Sequence, residues 1–143
     1  MKISSKGRYA LLAMTYLASK KQNDTYISVL EISQEFSISK IYLEQVFALL
    51  KKANLLIATK GSSGGYKLNL PASDITVFDI LKLTENTIFE QTENTLEVSS
   101  LYEQTFLKLL YDPLDQVIQT TLTSITLEDL VNHFNTRNLM FYI

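Results

Sequence analysis

Apolar residues recur at helical spacing along the first third of the chain. Ala10, Leu11, Ala13, Met14, Leu17 and Ala18 follow the i, i+3, i+4, i+7 rule, which predicts an amphipathic helix over about residues 5–20. The polar run KKQNDTY breaks it. Ser28 is placed to N-cap a short second helix with Val29, Ile32 and Phe36 on one side. Ser37-Ile38-Ser39 forms a tight turn, and Ser39 is the next N-cap. A third helix then runs to about Asn54, with Leu43, Val46, Phe47 and Leu50 as its buried stripe. At 100° per residue, Ile41, Gln45, Ala48 and Lys52 point the opposite way, and Lys40, Tyr42 and Glu44 flank the N-terminal end.

The period then changes. LLIAT and YKLNL read as two short strands, with Tyr66, Leu68 and Leu70 alternating with Lys67 and Asn69. KGSSGG between them is a hairpin loop holding three of the four glycines. Pro71 stops the second strand, and Ile75 to Leu83 is predicted as a fourth helix. Residues 85–100 are polar, acidic and weakly periodic, which predicts a loop. From Leu101 a helical pattern resumes, and two readings stay open. Asp112-Pro113-Leu114-Asp115 can start a fresh helix, with Asp112 as N-cap, or a longer helix from Leu101 can kink at Pro113. Leu110, Leu114, Val117, Ile118 and Leu122 form the apolar stripe there. A short helix over Ser124 to Asn132 and the tail RNLMFYI complete the pattern. The fold class is therefore mainly α with a small β-hairpin. The expected organisation is a unit of helices and hairpin over 1–84, then a loop, a long helix and a tail over 85–143.

Composition narrows the chemistry. The chain has 143 residues, no cysteine and one histidine, His133. Disulfides, thiolate metal sites and cysteine nucleophiles are excluded. No stretch reaches the ~20 apolar residues of a membrane span, and the N-terminus lacks a signal-peptide pattern, so a cytoplasmic location is expected. Net charge is −2 but unevenly spread. Residues 1–70 hold 10 Lys and Arg against 4 Asp and Glu, a balance of +6, and residues 71–143 hold 3 against 11, a balance of −8. A basic half suits phosphate, although chance segregation on a solvated surface gives the same count.

Helix, short helix, turn, helix and hairpin is the order of a winged helix-turn-helix. In that fold the third helix meets base edges with its N-terminal end. Gln45 can bond adenine in a bidentate way and Glu44 can accept from the cytosine amine. The pattern equally allows both to be ordinary solvated residues. Lys60 edges a glycine-rich tip that can approach a nucleic-acid backbone, and a plain exposed hairpin is the alternative. KGSSGG has neither the Walker spacing nor the dinucleotide-binding register, and it joins two strands. Glu90, Glu93 and Glu97 are more simply a solvated acidic surface than a catalytic set, and His133 has no evident catalytic partner. The chain is not expected to be an enzyme.

Four segments together resemble the Rrf family of winged-helix regulators: MKISSKGRYALLAMTYLA, SKIYLEQVFALLKKANLL, TKGSSGGYKL and SITLEDLV. The resemblance runs over nearly the whole chain. It implies a homodimer, joined through the C-terminal helix, on a partly palindromic double-stranded DNA operator. It implies base contacts from Ser39, Lys40, Tyr42, Glu44 and Gln45, with Lys60 and the wing glycines Gly61, Gly64 and Gly65 on the minor groove or backbone. Lys2, Ser28, Ile41 and Lys52 complete the candidate DNA-binding set. Ile41 stands where many members carry a small polar residue, and Lys60 where many carry arginine. Many members hold an iron–sulfur cluster on three cysteines. Here Glu93, Ser99 and Thr105 lie near those places, and Lys108 near a fourth ligand position. Hard oxygens and an amine suit no iron–sulfur cluster, so no cofactor and no metal are expected.

Within the family the likeness is nearest to a cluster-free repressor of cysteine metabolism. That likeness implies a partner, a cysteine synthase, taking the tail residues Tyr142 and Ile143 into its active site. The alternative is that Leu139, Met140 and Phe141 fold back onto the core. A structural or adaptor protein acting through protein contacts alone is the competing functional class.

Overall fold

Hydroxyl caps set most of the helix starts. In the computed structural model, which describes residues 2–20, 24–93 and 100–141, Ser4, Ser28 and Ser39 accept from the amides of Gly7, Glu31 and Tyr42. They open α1 (Ser5–Ser19), α2 (Val29–Phe36) and α3 (Lys40–Lys52). Ser37 ends α2 in the left-handed region at φ 54°, and the Ser33 hydroxyl donates to the Ile38 carbonyl at 2.6 Å, locking the turn into α3. The hairpin follows as β1 (Leu56–Thr59) and β2 (Gly65–Leu68), antiparallel, with Leu56 opposite Leu68 and Thr59 opposite Gly65.

α1 is the centre of the packing and lies against α3, β2, α4 (Val77–Leu81) and α7 (Leu127–Phe141). Ala10, Ala13 and Met14 of α1 are fully buried against Ile32, Leu43, Val46, Phe47 and Leu50, the predicted stripes of α2 and α3. Leu127, from the C-terminal segment, joins the same core. Two capping boxes sit side by side beneath it. Thr76 pairs with Asp79 at the start of α4 and Thr126 with Asp129 at the start of α7. A bridge between Thr76 and Thr126 joins them. α5 (Leu101–Phe106), a π-helical turn (Leu107–Tyr111) and α6 (Asp112–Ser124) contain no buried residue, and α6 lies along α4.

Several sequence expectations need correction. Ile75 is buried but lies outside α4: its carbonyl accepts from the Leu127 amide at 2.8 Å, and the helix begins after Thr76. Leu70 lies beyond β2 and is exposed, so the inward alternation stops at Leu68. Asp112 does not cap a new helix, because it and Tyr111 both have right-handed helical φ and ψ. The continuous reading holds from Leu101 to Ser124. Proline lacks the N–H for its i−4 carbonyl and its ring crowds that carbonyl, and the wide π turn just before Pro113 gives it room. The last helix does not stop at Asn132 but runs to Phe141. Leu139 and Met140 are exposed on it rather than folded onto the core. Glu90 and Glu93 are exposed on irregular backbone rather than along a helix, and Glu97 lies outside the described residues.

Candidate nucleic-acid interface

The N-terminal end of α3 presents Ser39, Lys40, Ile41, Glu44 and Gln45 to solvent. Leu43, Val46, Phe47 and Leu50 are locked in the core, so helical geometry alone aims the opposite face outward. Ile41 is 71% exposed, an unusual position for a large apolar side chain on an otherwise polar face. Lys40 and Glu44 pair at 3.5 Å across one turn, both half-exposed. That exposed pair offsets part of the Glu44 charge and leaves its carboxylate open to solvent. Gln45 has no partner among the described residues, so both ends of its amide are free. Tyr42 is half-buried, its ring edge-to-face with Tyr9 at 5.4 Å. This contact sets the first turns of α1 beside the N-terminal end of α3.

The wing comes from the hairpin. Lys60, Gly61, Ser62 and Ser63 are exposed at its tip, and the Gly64 amide donates to the Gly61 carbonyl at 3.0 Å to close the turn. Gly61 has φ +109° with open space around it. Gly65 serves packing instead. A β-carbon there would stand 2.3 Å from the Ile27 carbonyl oxygen, because Ile27 and Tyr66 bridge the wing to the segment before α2. Gly64 is similarly hemmed in, with the Thr59 carbonyl 2.6 Å from any added β-carbon. The bridge brings Ser28 and Glu31 of α2 onto one recess with Ser62, Ser63 and Gly64. Glu31 is held by Tyr16, whose hydroxyl donates to it at 2.8 Å. Burial, and then that bond, push the Tyr16 phenol up to about 12. Lys67 pairs with Asp24 at 3.0 Å, whereas Lys60 has no ion-pair partner among the described residues.

Lys2 is exposed just before α1, and Lys6 and Arg8 lie in its first turns. Lys52 is exposed on the Ile41 face but at the far end of α3, roughly 17 Å away at 1.5 Å per residue. The structure does not bring it to the others, and its charge suits the negative end of the helix dipole. Tyr9 is brought beside this end of α3, with exposed Arg8 next to it in the chain, and neither is among the residues the sequence singles out. The signal was available: Ser4 caps the helix and cations recur at positions 2, 6 and 8.

The apolar stripe of α6 divides. Leu110, Leu114 and Val117 are 54%, 53% and 62% exposed, while Ile118 and Leu122 are half-buried. Leu101, Tyr102 and Leu109 extend the exposed part. Thr105 donates to the Leu101 carbonyl at 2.7 Å, Glu93 and Lys108 are exposed, and Ser99 lies outside the described residues. With no cysteine in the chain, and no group of three His, Asp or Glu among the described residues, this donor set does not fit an iron–sulfur cluster. Tyr142 and Ile143 lie outside the described residues. Among the described residues, no helix is long and apolar enough to cross a membrane.

Comparison with known proteins places this geometry. Residues 3–133 match the family model described as Rrf2, iron-dependent transcriptional regulator. CymR of Bacillus subtilis, an HTH-type transcriptional regulator, is 35% identical over 145 residues, covering 100% of each chain. IscR of Cereibacter sphaeroides, also an HTH-type transcriptional regulator, is 44% identical over 89 residues, which are 62% of this chain and only 57% of that relative's length. The solved structure of CymR, the global cysteine regulator of B. subtilis, superposes with a TM-score of 0.77 at 33% identity, covering 93% of this chain and 98% of that one.

Proposed function

The chain belongs to the Rrf2 family of transcriptional regulators, and from that premise we propose that it is a sequence-specific DNA-binding repressor acting as a homodimer. One observation carries the reading. The exposed N-terminal end of α3, the α1 N-terminus beside it and the wing leave Gln45 and Lys60 unpaired, while the acids nearby, Glu31, Glu44 and Asp24, are each engaged. Such a surface has donors for phosphate and an amide for a base edge.

The roles divide accordingly. Gln45 reads adenine, and Glu44 accepts from cytosine once Lys40 turns to a phosphate. Ile41 suits a thymine methyl, and Ser39 keeps a hydroxyl proton to donate while capping α3. Lys60 meets the backbone or narrow minor groove as a point charge, without the flat fork of arginine. Residues 1–84 supply the DNA-binding unit. Residues 85–143 supply the dimer contact, through Leu110, Leu114 and Val117 with Ile118 and Leu122 behind them. Two copies related by a two-fold axis would then read two half-sites.

The full-length similarity to CymR supports a finer reading, that the genes controlled belong to cysteine or sulfur metabolism. A chain without cysteine has no thiol chemistry of its own for sensing, which leaves control to a partner or a bound small molecule. A cysteine synthase holding Tyr142 and Ile143 is that partner in this reading. Calorimetry of the synthase with the whole chain and with a variant lacking Ile143 tests it, and equal affinity for both removes it. The DNA-binding reading itself is tested by affinity against salt. Neutralising several phosphates makes binding fall steeply between low and physiological ionic strength. Absence of any salt-dependent DNA binding would favour an adaptor acting through protein contacts.

A further inference from the structure

Among the described residues, Glu85 is the only buried charged side chain, 7% exposed. Its Oε1 accepts the Ser4 amide at 2.5 Å and its Oε2 accepts the Ser4 hydroxyl at 2.7 Å. The Ser4 oxygen in turn accepts the Gly7 amide at 3.0 Å, so the carboxylate and the cap of α1 form one network. The approach is close enough to need glycine. A β-carbon on Gly7 would stand 2.8 Å from Glu85 Oε1 and 2.9 Å from Ile3 Cγ2. Taking a carboxylate out of water costs several kcal/mol before its hydrogen bonds repay it, and an apolar contact would join these segments more cheaply. The clasp therefore serves placement. Ser4 anchors the arm that carries Lys2, and Lys2, Ser4 and Ser5 share a recess with Thr84, Glu85 and Asn86. Five residues after Ser4, Tyr9 packs on Tyr42 at the start of α3. The arm is thus held at the end of α1 nearest the recognition helix.

We propose that Glu85 is a positioning residue for DNA binding: by clasping Ser4 it holds Lys2 and the first turn of α1 against the phosphate backbone beside α3. The proposal rests on the DNA-binding reading and adds to it a residue that never touches DNA.

The test measures affinity against salt for two duplexes, one selected by the wild-type protein from a random-sequence library and one unrelated duplex of equal length. Lys2→Ala should weaken both about 25-fold, fivefold for each of the two copies in the dimer, the net size of one hydrogen bond apiece. It should also flatten the slope of log affinity against log salt by about 1.8, one phosphate's worth for each of the two copies in the dimer. Glu85→Ala should flatten the slope equally, and Lys2→Ala added to Glu85→Ala should flatten it no further. Gly7→Ala, a better helix former, should reproduce the Glu85→Ala slope by displacing the carboxylate from the other side, whatever the fate of Glu85→Ala itself. Glu85→Gln, which keeps an acceptor for the Ser4 amide, should recover most of the slope. Lys2→Ala costing the same slope in both backgrounds would overturn the clasp, as would Glu85→Ala or Gly7→Ala with an unaltered slope, or Glu85→Gln with the slope of Glu85→Ala. A wild-type protein that selects no duplex overturns the DNA-binding reading, and the clasp falls with it.

Discussion

Val117→Asp examines assembly with the least disturbance to the fold. Val117 is 62% exposed on α6, beside Leu114 at 53%. Fully burying a valine or leucine side chain contributes about 1.5–3 kcal/mol, so covering the exposed part of Val117 with a second copy contributes roughly 1–2 kcal/mol per protomer. Symmetry doubles the loss. An aspartate in the same place must also shed water, at about 1 kcal/mol or more per copy. The total is roughly 4–6 kcal/mol, or three to four powers of ten in the dimer dissociation constant. Because the site is solvated within the single chain, the melting temperature at dilution should barely move. Sedimentation velocity over a concentration series reads the constant directly. Ile118→Asp is a poorer choice, since Ile118 is half-buried on a helix that lies along α4 and its loss also strains the fold. A Val117→Asp protein that sediments as the wild type does would refute the α6 interface.

Lys60→Ala should weaken binding to every duplex by about 1 kcal/mol and flatten the salt slope while leaving base preference intact, as titrations on matched and unrelated duplexes will show. Gly65→Ala should cost about 1–3 kcal/mol in chemical denaturation, because its β-carbon meets the Ile27 carbonyl at 2.3 Å. Gly61→Ala, strained by φ +109° but sterically free, should cost less, about 1 kcal/mol. Acid should loosen the paired caps. Partial burial pushes the Asp79 carboxyl up, but bonds from Thr76 and Lys82 outweigh this and hold it below its ordinary 3.8. The Thr76-like partner Thr126 holds Asp129 down in the same way. Groups lowered in the folded state contribute stability that is complete above 3.8 and lost as pH falls through the folded value. Thermal melts from about pH 5 to pH 2 should therefore show a steeper decline for the wild type than for Asp79→Asn.

Local chemistry made the first three helices and the wing legible. Leu43, Val46, Phe47 and Leu50 leave no doubt about which face of α3 is buried, and serine caps mark where α2 and α3 begin. What was not legible depends on contacts distant in sequence. Ile75 reads as helical by its neighbours, yet it bonds to Leu127, more than fifty residues on. α7 outruns its apolar pattern because Asn132, Asn135 and Arg137 are all exposed, and a solvated helix needs no stripe there. The stripe over Leu110 to Leu122 looked single because the π turn and the contact with α4, which together divide it, leave no mark in the spacing. Glu85 sits in a polar run and gives no sign that Ser4 will bury it. The candidate positions Glu44 and Gln45 are legible only as exposed polar residues near a helix start, and the place of Tyr9 rests on its contact with Tyr42, which no local pattern signals.

Selection of bound duplexes from a random library, run in parallel with the wild-type protein, Gln45→Ala and Glu44→Ala, bears most directly on the central claim. The Lys40–Glu44 pair is exposed and contributes only about 0.3–0.5 kcal/mol to the fold, so neither variant should be lost to unfolding. The wild type should enrich a two-fold symmetric motif. Each variant should lose preference at one position in both half-sites, at about 1–3 kcal/mol per half-site, with its salt slope unchanged. A wild-type protein that enriches no motif, or variants that return the wild-type motif unaltered, would contradict sequence reading by the N-terminal end of α3.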